Sequence, residues 1–185
     1  MAANKPTGGP RGDGLEKYRA KRTASRTPEP FASSAGSAGS GRPVERGGPG
    51  LFVVHKHAAT RLHYDFRIEL DGVLESWAVP KGPSFDPEEK RYAVHVEPHP
   101  IDYAGFEGVI PEGNYGAGAV IVWDRGLWVP LEDPIEGLQR GKLLFELKGY
   151  KLRGVWTLFR TKRPREKEPS NEWLMMKKPD GFADP

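Results

Sequence analysis

The run Lys56-His57-Ala58-Ala59-Thr60-Arg61-Leu62-His63-Tyr64-Asp65-Phe66-Arg67 sets two histidines, a carboxylate and two arginines within twelve residues. Leu62, Tyr64 and Phe66 alternate with His63, Asp65 and Arg67, and a period of two predicts a strand whose polar row lies on one face. His57, six residues before His63, can join that row from a neighbouring segment. His55 follows the same alternation, and spacing does not separate the two. Two histidines and one carboxylate form a donor set for Mn²⁺, Fe²⁺ or Zn²⁺ with positions left for water and a substrate oxygen. Such a metal polarises a phosphoryl oxygen and acidifies a bound water. Arg67, on the same face, offers a planar donor fork to a phosphate. The plainer alternative is a structural His–Asp pair beside an exposed His57.

Three other stretches carry candidate chemistry. In Arg91-Tyr92-Ala93-Val94-His95-Val96-Glu97-Pro98-His99-Pro100, followed by Asp102 and Tyr103, the alternation of Tyr92, Val94 and Val96 predicts an inward strand face over 91–97. His99 then falls in the loop beyond, where it can bond a phosphate oxygen or move a proton. His95 reads as a structural histidine. The glycines of 108–118 permit close backbone approach, but the run matches no nucleotide-binding pattern, and a shaped structural loop is the simpler reading. Lys81, after Trp77-Ala78-Val79-Pro80, suits either a phosphate or a turn.

These side chains need a scaffold of short strands. Strands are expected at 51–56, 62–70, 73–79, 91–97, 118–124, 127–129, 142–148, 154–161 and 172–178, with a hairpin at Asp71-Gly72 and turns at Asp124-Arg125-Gly126 and Lys148-Gly149. Trp156 and Phe159 read as core. Only Pro134–Arg140 and a segment near 15–22 invite short helices, the latter stopped at Thr27-Pro28-Glu29-Pro30. The fold class is therefore mainly β with a few short helices, and the spacing argues for a small antiparallel barrel or a closed sandwich. Residues 1–50 form a flexible basic arm, 51–178 the barrel domain and 179–185 a tail.

The net charge of +3 is unevenly spread. Residues 1–50 hold nine Lys/Arg against four Asp/Glu, 51–159 hold twelve against sixteen, and 160–185 hold seven against five. Basic ends around a mildly acidic centre suit a polyanionic partner, although a solubilising tail has the same composition. With no cysteine, disulfides and thiolate zinc sites are excluded. No apolar run has the length of a membrane span and the first residues do not resemble a signal peptide, so the expectation is a cytoplasmic, monomeric protein.

Taken together, Lys56-His57-x-Ala59-x-Arg61-Leu62-His63-Tyr64-Asp65-Phe66-Arg67, Trp77-Ala-Val-Pro-Lys81-Gly, Ala93-Val-His95-Val-Glu97-x-His99-Pro100-x-Asp102-Tyr103 and Gly108-x-Ile-Pro-Glu-Gly-x-Tyr-Gly-x-Gly118 resemble the 3′-phosphoesterase module of bacterial DNA ligase D. The resemblance runs from about Leu15 to Trp173-Leu-Met-Met-Lys177. It implies a β-barrel enzyme that removes a 3′-terminal ribonucleoside from DNA and then the remaining 3′-phosphate, with manganese as the favoured metal. By motif position it implies His57, His63 and Asp65 as metal ligands, which favours His57 over His55. Arg67 and His99 match residues that hold the scissile phosphate, and Arg61, Lys81, Arg91 and Tyr103 match others needed for one or both steps. Arg22 and Glu29 match positions of the N-terminal arm. Thr23 stands where the family has an aspartate, which points to a weaker ribonucleoside-removing step. The Gly/Ser/Ala-rich stretch 33–41 resembles an insertion that lengthens the tether between arm and barrel. With no polymerase or ligase segment after Pro185, the implied partners (an end-joining ligase, a polymerase and an end-binding protein) are expected to act in trans on DNA or DNA/RNA 3′ ends. The rival function is a non-catalytic DNA-end-binding module with a vestigial or structural metal site.

Overall fold

The computed structural model describes residues 14–31, 48–161 and 169–185. The expected disorder of 1–14 and the expected linker and insertion at 32–50 fall almost wholly outside them. Nine antiparallel strands follow in the order β1 (Gly50–Ala58), β2 (Leu62–Leu70), β3 (Val73–Val79), β4 (Arg91–His99), β5 (Gly108–Ile110), β6 (Gly118–Pro130), β7 (Lys142–Gly149), β8 (Arg153–Arg160) and β9 (Glu172–Lys177). The neighbours run β1-β2-β3-β4-β9-β8-β7-β6, and pairing of β6 with β1 closes an eight-stranded barrel. Closure removes the edges that an open sheet of this size would expose. The short β5 extends from the first half of β6. A helix α1 (Glu16–Ala20), a 3₁₀ turn (Ile101–Gly105) and a helix α2 (Pro134–Arg140) complete the fold. No helix among the described residues is long and apolar enough to cross a membrane.

Local chemistry explains several of these elements. At the β2–β3 hairpin Asp71 and Gly72 both take positive φ, 52° and 83°, which matches the strand twist of a two-residue turn. α2 begins where the Asp133 carboxylate accepts from the amides of Ile135 and Glu136, has Pro134 in its first turn and ends at Gly141 with φ 84°. α1 stops at Ala20, well before Pro28. The chain turns there because the amide of Arg22 bonds the Arg19 carbonyl and its guanidinium is held by Glu29.

Two apolar layers flank the barrel wall. The interior is filled by Phe52, Val54, Phe66, Ile68, Trp77, Phe145, Trp156 and Trp173 among others. A second cluster, outside the wall, joins Leu15 and Tyr18 of the arm to Leu74, Tyr103, Phe106, Ile110 and Val120. The outward row of β1 and β2 is thus roofed by α1 and the 3₁₀ turn. Polar side chains on it are buried although they lie outside the barrel.

Four expectations are corrected. Residues 118–130 form one strand, with Asp124-Arg125-Gly126 inside it. Asp124 looks like a turn residue because its carboxylate accepts from the amides of Tyr150, Lys151 and Leu152 and closes a different turn. Gly126 is there because a Cβ would lie 2.2 Å from the Lys148 carbonyl oxygen. On β4 the inward residues are Ala93, in the interior cluster, and His95, stacked on Trp77 at 4.8 Å, while Tyr92 is exposed. An apolar count favours Tyr92, Val94 and Val96, but a small residue and an imidazole are what fit beside Trp77 and Trp173. Phe159 is only half-buried. β4 also continues through Pro98 to His99, so His99 closes a strand instead of occupying a loop.

Asp124→Ala leaves three turn amides without their shared acceptor. Bonds to a charged partner are each worth about 1.5–3 kcal/mol; the Tyr150 and Lys151 amides are only part-buried and can turn to water, so the loss is set mainly by the buried Leu152 amide, and a drop of about 3 kcal/mol in unfolding free energy is expected in urea titration.

Candidate metal centre and phosphate cleft

Register assembles the candidate metal ligands. On β1 and β2 His57 pairs with His63 and His55 with Asp65, so His57, His63 and Asp65 share one outward patch. One ligand atom from each lies within 4.8 Å of the others. His57 Nε2 donates to the Gly116 carbonyl at 2.8 Å, which leaves Nδ1 as the free lone pair, 3.5 Å from Asp65. His63 Nδ1 donates to the Arg61 carbonyl at 2.9 Å, which leaves Nε2, 3.6 Å from the other Asp65 oxygen. Each imidazole is therefore locked by a backbone acceptor in the tautomer that a metal requires. Two nitrogens and one carboxylate facing a common point fit a divalent transition metal with open positions.

Arg67 is the hub behind this patch and is almost fully buried. It reaches Asp65 at 3.2 Å, the Ser76 hydroxyl at 2.9 Å, His99 Nδ1 at 3.1 Å and His55 Nδ1 at 3.4 Å. Its guanidinium also lies over the Tyr103 ring. Burial opposes ionisation of Asp65, yet the Arg67 charge and the bonds from His57 and His63 hold its carboxyl well below the usual range. Burial first, then the charges of Arg67 and Arg22, push His99 well below the ordinary histidine value. Burial first, then the Arg67 charge, take His55 down to about 3. His63 moves the other way, raised chiefly by its bond to Asp65.

The arm supplies the opposite wall. Arg22 stacks on Tyr18 at 3.9 Å and reaches His99 Nε2 and Glu97, both at 3.4 Å. Glu29 fixes it by accepting from Arg22 Nε at 2.9 Å and from the Tyr103 hydroxyl at 3.0 Å. Lys21 bonds Glu97 at 2.9 Å. The cleft enclosed between these walls measures about 260 Å³ and is lined by Arg22, His57, His63, Asp65, Arg67 and His99, with Glu29, Tyr103 and Tyr115 around them.

The family described as the DNA Ligase D 3′-phosphoesterase domain matches residues 55–160. This chain belongs to the DNA ligase D 3′-phosphoesterase domain family. Among curated relatives, the multifunctional non-homologous end joining protein LigD of Pseudomonas aeruginosa is 55% identical over 171 residues, 91% of this chain and 19% of the relative. The corresponding protein of Mycobacterium tuberculosis is 42% identical over 156 residues, 84% of this chain and 19% of its own. That of Mycolicibacterium smegmatis is 42% identical over 159 residues, 83% and 20%. The chain thus spans about a fifth of the length of these relatives.

In this member of the family, the cleft brings together His57, His63, Asp65, Arg67, His99, Tyr103, Arg22 and Glu29. Arg61 lies exposed in the β1–β2 turn, where its carbonyl orients His63. Lys81 and Arg91 fall elsewhere, in a groove with Lys90 and Tyr92 at the ends of β3 and β4. Thr23 is exposed, and its carbonyl closes a turn to the Arg26 amide. Sequence reasoning passed over Ser76 and Glu97 as members of the network, and weighed His55 only as a rival metal ligand to His57. Ser76 was within reach, because the Asp71-Gly72 hairpin sets it opposite Arg67. Glu97 was not, because a register shift between β3 and β4 turns it toward Arg22.

These buried neutral histidines set an acid limit on stability. Below about pH 6.5 the unfolded chain binds a proton at His99 that the folded chain refuses. The stability this group contributes is complete above that pH and lost as pH falls. His55 acts in the same sense. In EDTA, the urea midpoint is expected to drop between pH 7 and pH 5, and His99→Gln to flatten that dependence.

Proposed function

We propose that this domain is a metal-dependent phosphoesterase that heals 3′ ends of DNA for end-joining repair. It removes a 3′-terminal ribonucleoside and then the 3′-phosphate left behind. The observation that carries this reading is the meeting, in one cleft, of three metal-ligating side chains with the guanidiniums of Arg67 and Arg22. Carboxylate and imidazole donors suit Mn²⁺, held by His57, His63 and Asp65. When bound there, such an ion would supply Lewis acidity toward a phosphoryl oxygen and an acidified water.

The remaining chemistry belongs to the chain's own residues. Diester hydrolysis consumes one water: its oxygen joins phosphorus, the P–O5′ bond breaks, and the nucleoside leaves as an alcohol with one of the water's protons. Monoester hydrolysis breaks P–O3′ instead, releasing phosphate and exposing the 3′-hydroxyl. Arg67 and Arg22 stabilise charge on the nonbridging oxygens, and their fixed partners mean little reorganisation during reaction. Glu29 and Tyr103 hold Arg22 in place. Burial lowers His99 most, and the Arg67 and Arg22 charges add to it; an incoming phosphate offsets the charges and moves His99 back toward a proton donor to a phosphate or leaving oxygen. Lys81 and Arg91 take backbone phosphates of the retained strand, and Arg61 flanks the metal ligands at the cleft's edge.

The substrate class is tested by comparing primer–templates ending in 3′-phosphate DNA, in one 3′-ribonucleotide and in RNA, beside free nucleotides. The reading expects conversion of the DNA ends to 3′-hydroxyl. Preference for nucleotides or RNA would replace it. Binding of DNA without hydrolysis across metals would return the site to an end-binding module.

A further inference from the structure

Tyr115 is on the cleft's rim but has no part in the chemistry above. It sits in the loop between β5 and β6, next to Gly116, whose carbonyl holds His57. Its ring lines the cleft and remains 49% exposed. From the arm, the Lys21 ammonium lies 4.5 Å from the ring centroid and bonds the phenol at 3.3 Å, and the Arg22 guanidinium lies 5.3 Å away. The largely unburied aromatic of this cleft is thus adjacent in sequence to the residue that anchors a metal ligand. Tyr18 and Tyr103, the other aromatics nearby, are buried and committed to packing.

A substrate phosphate seated at His57, His63 and Asp65 carries a strand on one side and a terminal nucleoside on the other. A separate groove at the ends of β3 and β4, lined by Lys81, Lys90 and Arg91 with Glu89 paired to Arg91, is basic on balance and suits the phosphates of the retained strand. On the Tyr115 side the cleft is bounded by Lys21 and Arg22 of the arm and by the β5–β6 loop; the whole cleft, metal patch included, measures about 260 Å³, too small for a polymer, so a terminal nucleoside belongs at its mouth, over the half-exposed ring. An exposed aromatic ring in such a space suits a nucleobase, since every base offers a π-face.

We infer that Tyr115 is a positioning residue on which the base of the departing 3′-terminal nucleoside stacks, a role that rests on the proposed diester hydrolysis. It makes the domain tolerant of base identity, because stacking does not read base edges. It also ties nucleoside seating to the metal patch through the Gly116 carbonyl. A 3′-phosphate end has no terminal nucleoside and makes no use of the ring.

The test uses primer–templates whose 3′-terminal ribonucleotide carries 2-aminopurine, with the wild type, Tyr115→Phe and Tyr115→Leu. Binding in EDTA should quench the fluorophore in the wild type and in Tyr115→Phe, and not in Tyr115→Leu. With Mn²⁺, Tyr115→Leu should lose about ten- to a hundredfold in kcat/KM on the diester, with a much smaller loss on the 3′-phosphate and rescue by phenylalanine. Equal losses on both substrates would overturn the inference and assign Tyr115 to the support of His57. Failure of Tyr115→Phe to rescue would overturn it in favour of a phenol that merely pins Lys21. If the wild type hydrolyses neither substrate with any metal, the reading of the site falls first and the inference with it.

Discussion

His63→Ala is expected to abolish hydrolysis of both 3′-end substrates while leaving the fold intact. His63 is half-exposed and contributes little to either apolar layer, so its loss opens no core cavity. It removes one of three metal donors, with Asp65 and His57 left as a two-ligand remnant. Losing an outer partner of a ligand costs about 10- to 100-fold, and losing the ligand itself should exceed that. Circular dichroism should be unchanged, and a Mn²⁺-induced rise in melting temperature seen in the wild type should vanish. Hydrolysis at wild-type rates would remove His63 from the metal patch.

Arg67 should give the next largest effect, and one that lysine cannot rescue. Four side chains take its hydrogen bonds or its charge in different directions, and the planar fork that reaches them has no counterpart in a single ammonium. Removing a donor that stabilises transition-state charge costs about 10²–10³-fold, so Arg67→Ala and Arg67→Lys should both fall in that range on both substrates. Arg67→Ala also strands the buried Asp65 carboxylate, and breaking a buried pair from one side costs about 3–5 kcal/mol. Part of that loss should return with Mn²⁺, which replaces the missing positive charge. Rates are therefore compared on protein shown to be folded. Near-normal turnover by Arg67→Lys would mean that charge alone suffices there and that the fork has no role.

Much of this site was legible because a strand's period is two and its register is strict. His63, Asp65 and Arg67 could be placed on one face from alternation, and the choice of His57 over His55 came from the family's motif. The structure gives that choice a physical basis: His57 faces His63 across the pair, whereas His55 stands behind Arg67 with its proton refused. What alternation could not convey is that the outward face is roofed. A short helix near 15–22 with Leu15 and Tyr18 on one face was expected, but nothing in that segment says where the face docks; at the N-cap and within the helix Glu16–Ala20 these two residues bury the polar row and bring Arg22 to His99. Shifts in register were equally hidden. Those near Asp124 and Glu97 change which face a residue presents without any mark in composition, so one long strand read as two and Glu97 passed as part of a strand motif. Lys81 and Arg91 show the converse. Their motif positions were clear, but only the fold places them in a groove apart from the metal ligands.

The most direct measurement is a gel assay of the wild-type domain on a primer–template bearing a 3′-phosphate, in Mn²⁺ and in EDTA. A metal-dependent phosphoesterase converts the primer to a 3′-hydroxyl end in Mn²⁺ and leaves it untouched in EDTA. Conversion that persists in EDTA, or none in Mn²⁺ by folded protein, would contradict the assignment of His57, His63 and Asp65 as the centre of a metal-dependent enzyme.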